Sequence, residues 1–263
     1  MFYNSITIVM EIEEIPSKNP IKIRSFKFSC DCKDKDIPTP LPNTYNHCLM
    51  ITAKPKQGKT TLIYNLLTKR RGASPYYQKF DKIYIFSPSM KTIDDDPFEN
   101  LSDEQKFATM NFENLSKVYE SIQDCGERIL IIADDVVMDI AKDKNVSRLL
   151  GKMMMNRRHI CGKSEDGEGA GLSMWITSQV FNKLPRPLRA CASHHIIFKT
   201  SNKKELATIY DELILLDKRD FEVLLRYVFG EKFNFLYINT DEDFSEQYHK
   251  NFNKLRLRNI NIM

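Results

Sequence analysis

The stretch from Leu49 to Leu67, LMITAKPKQGKTTLIYNLL, constrains the fold more than any other part of the chain. A short apolar strand enters a turn holding Gly58, Lys59 and Thr60, and an apolar-periodic segment follows. That succession makes a nucleotide-phosphate loop. The strand delivers the chain to a tight turn, and the helix behind it aims its free N–H groups and its dipole at an anion. In such a loop Lys59 reaches the β and γ phosphates, and the Thr60 hydroxyl ligates Mg²⁺. The expected nucleotide-binding residues are Ala53, Lys54, Pro55, Lys56, Gln57, Gly58, Lys59, Thr60 and Thr61, with ATP and Mg²⁺ as cofactors. Ala53 stands where the pattern Gly-x-x-x-x-Gly-Lys-Ser/Thr has its first glycine, and the loop still closes if Ala53 keeps a negative φ.

A phosphate loop needs acidic partners on a neighbouring strand. Arg128 to Asp135, RILIIADD, is a continuous apolar run that ends in two carboxylates. A buried parallel strand of this kind brings its acidic end to the carboxyl edge of the sheet, where the triphosphate lies. Asp134 is then placed to hold Mg²⁺ through water, and Asp135 to orient or deprotonate an attacking water. Leu172 to Ser178 is a further strand, ending at Gln179, which can hydrogen-bond the same water and sense the γ-phosphate.

The other segments fit an alternation of strands and helices. Lys82 to Ser87 predicts a buried parallel strand, and His194 to Lys199 another, in which at most one of His194 and His195 faces the core. Thr61 to Arg70, stopped by Gly72, predicts the helix after the phosphate loop. Helices are expected from Ser102, over Phe112 to Ile122, over Val137 to Met155, from Asn202 through Leu213, and from Asp217 through Phe229. Phe233 to Asn239 predicts a last alternating strand. The helix after Asp135 ends in Asn156-Arg157-Arg158-His159. An arginine pair there is a favourable dipole partner, or a finger lent to a neighbouring subunit's γ-phosphate. Gly162 to Gly171 reads as a flexible charged loop.

Residues 1–47 form an expected N-terminal β appendage, with β-rich runs at Ile6 to Ile12 and Ile21 to Cys30 and a stiff approach through Pro38, Pro40 and Pro42. Residues 48–240 are the expected nucleotide-binding domain. Residues 241–263 are the expected basic tail, disordered from Phe244 and carrying Lys250, Lys254, Arg256 and Arg258. A net charge of +4 permits nucleic acid as a partner without arguing for it. Six scattered cysteines and no secretory leader point to reduced thiols, and no metal site is expected at Cys30-x-Cys32 or at Asp94-Asp95-Asp96. No apolar run approaches the roughly 20 residues of a membrane span, so a soluble protein is expected.

Taken in order, GKT at Gly58 to Thr60, Asp134-Asp135, Asn156 to His159, Ser178-Gln179 and Leu188-Arg189 resemble the genome-packaging ATPases of large DNA viruses and their virophage or polinton-like relatives, the poxvirus-type members of the FtsK/HerA superfamily. The resemblance runs from about Asn46 to Lys199. It implies an ASCE/RecA-like P-loop NTPase, a three-layer α/β/α fold on a mostly parallel sheet in the order 5-1-4-3-2, with Gln179 between the phosphate loop and the acidic strand. It further implies ATP hydrolysis coupled to translocation of double-stranded DNA into a preformed capsid. The motor would be a homo-oligomeric ring, hexamer or pentamer, working beside capsid proteins in the cytoplasm of a host cell (the viral factory) and in the virion, with no membrane partner. The arginine finger falls on Arg157 or Arg158, with Arg189 in reserve. Another DNA pump of the same superfamily, or a nucleotide or nucleoside kinase, is the alternative.

Overall fold

The computed structural model describes residues 32–68, 74–89, 98, 100–165 and 169–258. The expected strands before Cys32, the Gly72 stop and the Asp94-Asp95-Asp96 run lie outside these residues. A nine-stranded sheet runs through the described chain: β1 (Cys48–Thr52), β2 (Lys82–Phe86), β3 (Lys106–Phe107), β4 (Arg128–Ala133), β5 (Gly171–Ser178), β6 (His194–Phe198), β7 (Phe235–Asn239), β8 (Tyr248–Lys250) and β9 (Asn253–Lys254). Their spatial order is β3-β2-β4-β5-β1-β6-β7-β8-β9. The six strands from β3 to β6 are parallel, and β7, β8 and β9 continue the sheet antiparallel. The strands β6-β1-β5-β4-β2 reproduce the implied order 5-1-4-3-2, and β5 separates the phosphate-loop strand from the acidic strand.

The helices are α1 (Lys59–Leu67), α2 (Phe112–Ile122), α3 (Val137–Lys142), α4 (Lys144–Asn156), α5 (Arg186–Arg189), α6 (Lys203–Leu213) and α7 (Lys218–Val228). Strand side chains alternate between faces, and both faces are covered. Ile129, Ile131, Met174 and Ile197 join α2, α4, α6 and α7 in one apolar cluster. Leu130, Ile132, Trp175 and Ile196 join α1 and the segment 32–47 in the other. The central strands therefore read as unbroken apolar runs rather than alternating ones.

Four expectations change. The segment from Val137 to Met155 is two helices, because the Asp143 side chain accepts from the N–H groups of Asn145 and Val146 and starts α4 afresh. The helix expected at Ser102 is a single 3-10 turn, Asp103–Gln105, closed by a capping box. Residues 244–254 are not a disordered tail. Tyr248 is buried and β8 and β9 pair with the sheet, because Ile238 and Leu236 on β7 offer an apolar edge that a loose tail would leave wet. His194 and His195 are both buried, since layers on both faces leave no wet side for either. The described part of the appendage packs against the core through Ile37, Leu41 and Tyr45, without a strand of its own between Cys32 and His47. No helix of the described residues is long and apolar enough to cross a membrane, and no group of three or more His, Cys, Asp or Glu among them could hold a metal ion.

Candidate active site

The phosphate loop joins β1 to α1 at the carboxyl edge of the parallel strands. Its shape depends on two left-handed residues, Lys56 (φ 65°) and Gly58 (φ 95°), the second being the residue before α1. Ala53 keeps a negative φ and is buried, and its N–H donates to Ser178 O at 3.0 Å. Alanine therefore fits the first glycine slot without strain. Gln57 braces the loop from inside: its Oε1 accepts from Lys54 N at 2.9 Å, and its Nε2 donates to Lys199 O at the end of β6, at 2.7 Å.

The acidic pair sits across β5 from this loop. Leu130 and Ile132 point to the α1 face, and Asp134, two residues further on, points the same way. The parallel register sets Ser87, Asp134 and Thr177 side by side just beyond the paired row Phe86, Ala133 and Ile176. Thr177 Oγ1 donates to Asp134 Oδ1 at 2.7 Å, and Ser87 Oγ donates to Asp134 Oδ2 at 3.1 Å. Two hydroxyls thus hold a buried carboxylate in one orientation and leave its remaining lone pairs for a further partner. The next residue, Asp135, turns through the left-handed region (φ 55°), which Asp tolerates better than most side chains. Its N–H donates to Thr177 Oγ1 at 3.0 Å.

Lys59, at the first position of α1, is buried to 8 % exposure and closes the site. Its ammonium forms an ion pair with Asp135, and Asp134 Oδ1 lies 3.5 Å away. A lysine that deep is tolerable because two carboxylates face it. Ala53 to Lys56, Gly58 to Thr61, Asp135 and Gln179 line a cleft of about 250 Å³. All the predicted loop residues except Gln57, which braces the loop instead, are in that lining. Gln179 enters it because Thr52 and Ser178 are register partners, so the residue after each strand meets at the same edge. The hard oxygens of Thr60 and of the oriented Asp134 carboxylate fit a Mg²⁺ accompanying a triphosphate.

The arginines fall elsewhere. Arg157, at the end of α4, donates from Nε to Asn46 O at 2.6 Å and from Nη1 to Met154 O at 2.9 Å. It therefore sits beside the start of β1, at the opposite edge of the sheet from its own phosphate loop; Arg158 follows it and is exposed. Arg189, the expected reserve finger, is engaged between α5 and α6. It is buried, donates to Glu212 from Nε at 2.8 Å and from Nη2 at 2.5 Å, donates from Nη1 to Leu184 O, and lies over the Phe181 ring. These bonds hold α5 to α6.

Sequence inspection did not single out Thr177 and Ser87. Both are ordinary strand residues by type; only the register of β2, β4 and β5 puts their hydroxyls on the carboxylate.

No family model matches the chain, and no curated protein matches it. Among solved structures, the DNA-packaging ATPase B204 from Sulfolobus turreted icosahedral virus superposes with a TM-score of 0.54 at 14 % identity, over 79 % of this chain and 98 % of that one. The genome-packaging NTPase B204 of Sulfolobus turreted icosahedral virus 2, in complex with AMPPCP, gives 0.53 at 14 % identity, over 80 % and 99 %. The pCW3 conjugation coupling protein TcpA, in its monomer form with ATPγS, gives 0.50 at 11 %, over 80 % and 61 %. At these identities the likeness is one of fold: the chain has the three-layer α/β/α architecture, on a mostly parallel sheet, of these P-loop ATPases.

Proposed function

We propose that this chain is an ATP-hydrolysing motor that translocates double-stranded DNA, and that its task is packaging a viral genome into a preformed capsid. The observation that carries the hydrolytic reading is the convergence of Lys59, Asp135 and Gln179 on one cleft, with Asp134 Oδ1 3.5 Å from the Lys59 ammonium and Gln179 delivered by the strand between the other two motifs. The sequence order of the motifs and the fold shared with B204 support the packaging assignment.

Binding of the triphosphate draws the Lys59 ammonium from the carboxylates to the β and γ phosphates, where the N–H groups at the start of α1 complete the cradle. Asp135, released from Lys59, orients and deprotonates the attacking water, and Gln179 hydrogen-bonds that water against the γ-phosphate. Thr60, and Asp134 through water, would hold Mg²⁺, which would supply charge neutralisation on the phosphates when bound. Positive charge late in the reaction comes from Arg157 or Arg158 of an adjacent copy in a homo-oligomeric ring, since neither can reach its own site. Capsid proteins are the docking partners, and the host-cell cytoplasm and the virion are the locations.

A pump for conjugative DNA transfer is the second reading, favoured by the fold shared with TcpA. A small-molecule kinase would need an acceptor site and an arginine-rich lid at this cleft, and no arginine is among the described residues that line it.

The test is hydrolysis with and without double-stranded DNA. Stimulation by DNA, loss of turnover in Lys59→Ala, and retained ATP binding without turnover in Asp135→Asn are expected. Turnover indifferent to DNA removes the motor reading, and full turnover in Asp135→Asn removes the role given to that carboxylate.

A further inference from the structure

Phe233 is the least comfortable aromatic residue near the cleft. It belongs to the turn between α7 and β7, is 55 % exposed, and holds a left-handed backbone (φ 69°), a conformation that costs a bulky L-residue free energy. The turn is not loose. Asn251 Oδ1 accepts from Phe235 N at 3.1 Å, Asn251 Nδ2 donates to Asn234 Oδ1 at 3.0 Å, and Asn251 N donates to Phe235 O at 2.9 Å. The β8–β9 hairpin thus fixes the chain just after a ring that gains little burial from being fixed.

The ring is aimed at the phosphate loop. Strand β7 runs antiparallel to β6, so its first residues return to the carboxyl edge where β1 ends. A methyl placed on Gly58 would lie 3.5 Å from Phe233 Cδ1, ordinary van der Waals contact with the residue that begins the phosphate-binding helix. The Lys232 ammonium stands 4.8 Å over the same ring.

We propose that Phe233 is the stacking platform for the base of the bound nucleotide, and Lys232 its cationic rim. The inference rests on the nucleotide-binding reading above and extends it to a part of the ligand that the phosphate loop does not touch. With the phosphates held at the start of α1, a base leaving the cleft past Gly58 meets the Phe233 ring. Stacking on the ring reads no base edge, so it is tolerant of base identity: ATP and GTP both bind.

The experiment compares binding of ATP and of inorganic tripolyphosphate, each with Mg²⁺, to the full chain by calorimetry. Base–aromatic stacking contributes enough that Phe233→Ala should weaken ATP about tenfold to a hundredfold, leave tripolyphosphate within about twofold, and recover in Phe233→Trp. The side chain is exposed, so the Ala variant should fold, and an unchanged thermal transition verifies it. Equal weakening of both ligands, or of neither, overturns the platform. Wild-type protein that binds tripolyphosphate but gains nothing from the nucleoside also overturns it while sparing the phosphate loop. Wild-type protein that binds neither overturns the nucleotide-binding reading itself.

Discussion

Thr177→Val isolates the contact that shapes the candidate catalytic pair. The substitution keeps side-chain volume at a fully buried position and deletes one oxygen. That oxygen donates to the Asp134 carboxylate at 2.7 Å and accepts from the Asp135 N–H at 3.0 Å. A hydrogen bond to a charged group contributes about 1.5–3 kcal/mol, and a donor left unpaired in the interior costs about 1–3 kcal/mol. Ser87 still reaches the other oxygen of Asp134, and Lys59 remains 3.5 Å away, so the carboxylate is not abandoned. The expected loss is therefore about 2.5–6 kcal/mol, falling to about 1.5–3 kcal/mol if Asp135 re-pairs with water. Urea unfolding of the purified variant reads this directly, with Thr177→Ser as the control that keeps the hydroxyl. Hydrolysis should fall about a hundredfold, because a misplacement of about 1 Å in a positioned group costs that much. ATP binding through Lys59 and the loop N–H groups should change far less. Stability within about 0.5 kcal/mol of wild type, together with full turnover, would refute the idea that this hydroxyl sets the geometry of both acids.

Two further outcomes follow from the buried charges. Arg189→Ala removes the partner of Glu212 and the donor to Leu184 O, and should cost about 3–5 kcal/mol while leaving turnover per folded molecule unchanged. Abolished turnover at undiminished stability would instead restore Arg189 as a finger. Burial pushes the His47 and His195 imidazoles down to about 4. For His47 the chemistry is visible: the ring is hydrogen-bonded to Thr44 O through Nδ1, and Nε2 accepts from Trp175 Nε1, leaving no place for a second proton. With folded pKa values below the unfolded ones, the unfolded chain binds more protons. Stability is complete above about pH 6.5 and is lost as pH falls toward 4, by several kcal/mol in all. Denaturation midpoints that stay flat between pH 7 and 5 would contradict neutral burial of these rings.

The phosphate loop, the acidic strand and the strand ending at Gln179 were legible from local pattern, because each is written in consecutive residues: an apolar run, then the polar group its end must deliver. Helix starts at Asn202 and Asp217 were legible for the same reason, as each cap acts on N–H groups two or three residues away. The break at Asp143 was not, since the apolar period of α3 and α4 continues across it. The edge strands β8 and β9 were not either, since short polar segments become strands only when a partner edge is already in place. Sequence by itself determined that a strand–loop–helix would cradle a triphosphate and that two carboxylates and a glutamine would reach one sheet edge. Only the tertiary structure decided which groups hold them there. Register, a relation between strands far apart in the chain, sets Ser87 and Thr177 on Asp134. Packing spends Arg189 on Glu212, and the antiparallel return of β7 carries Phe233 to Gly58.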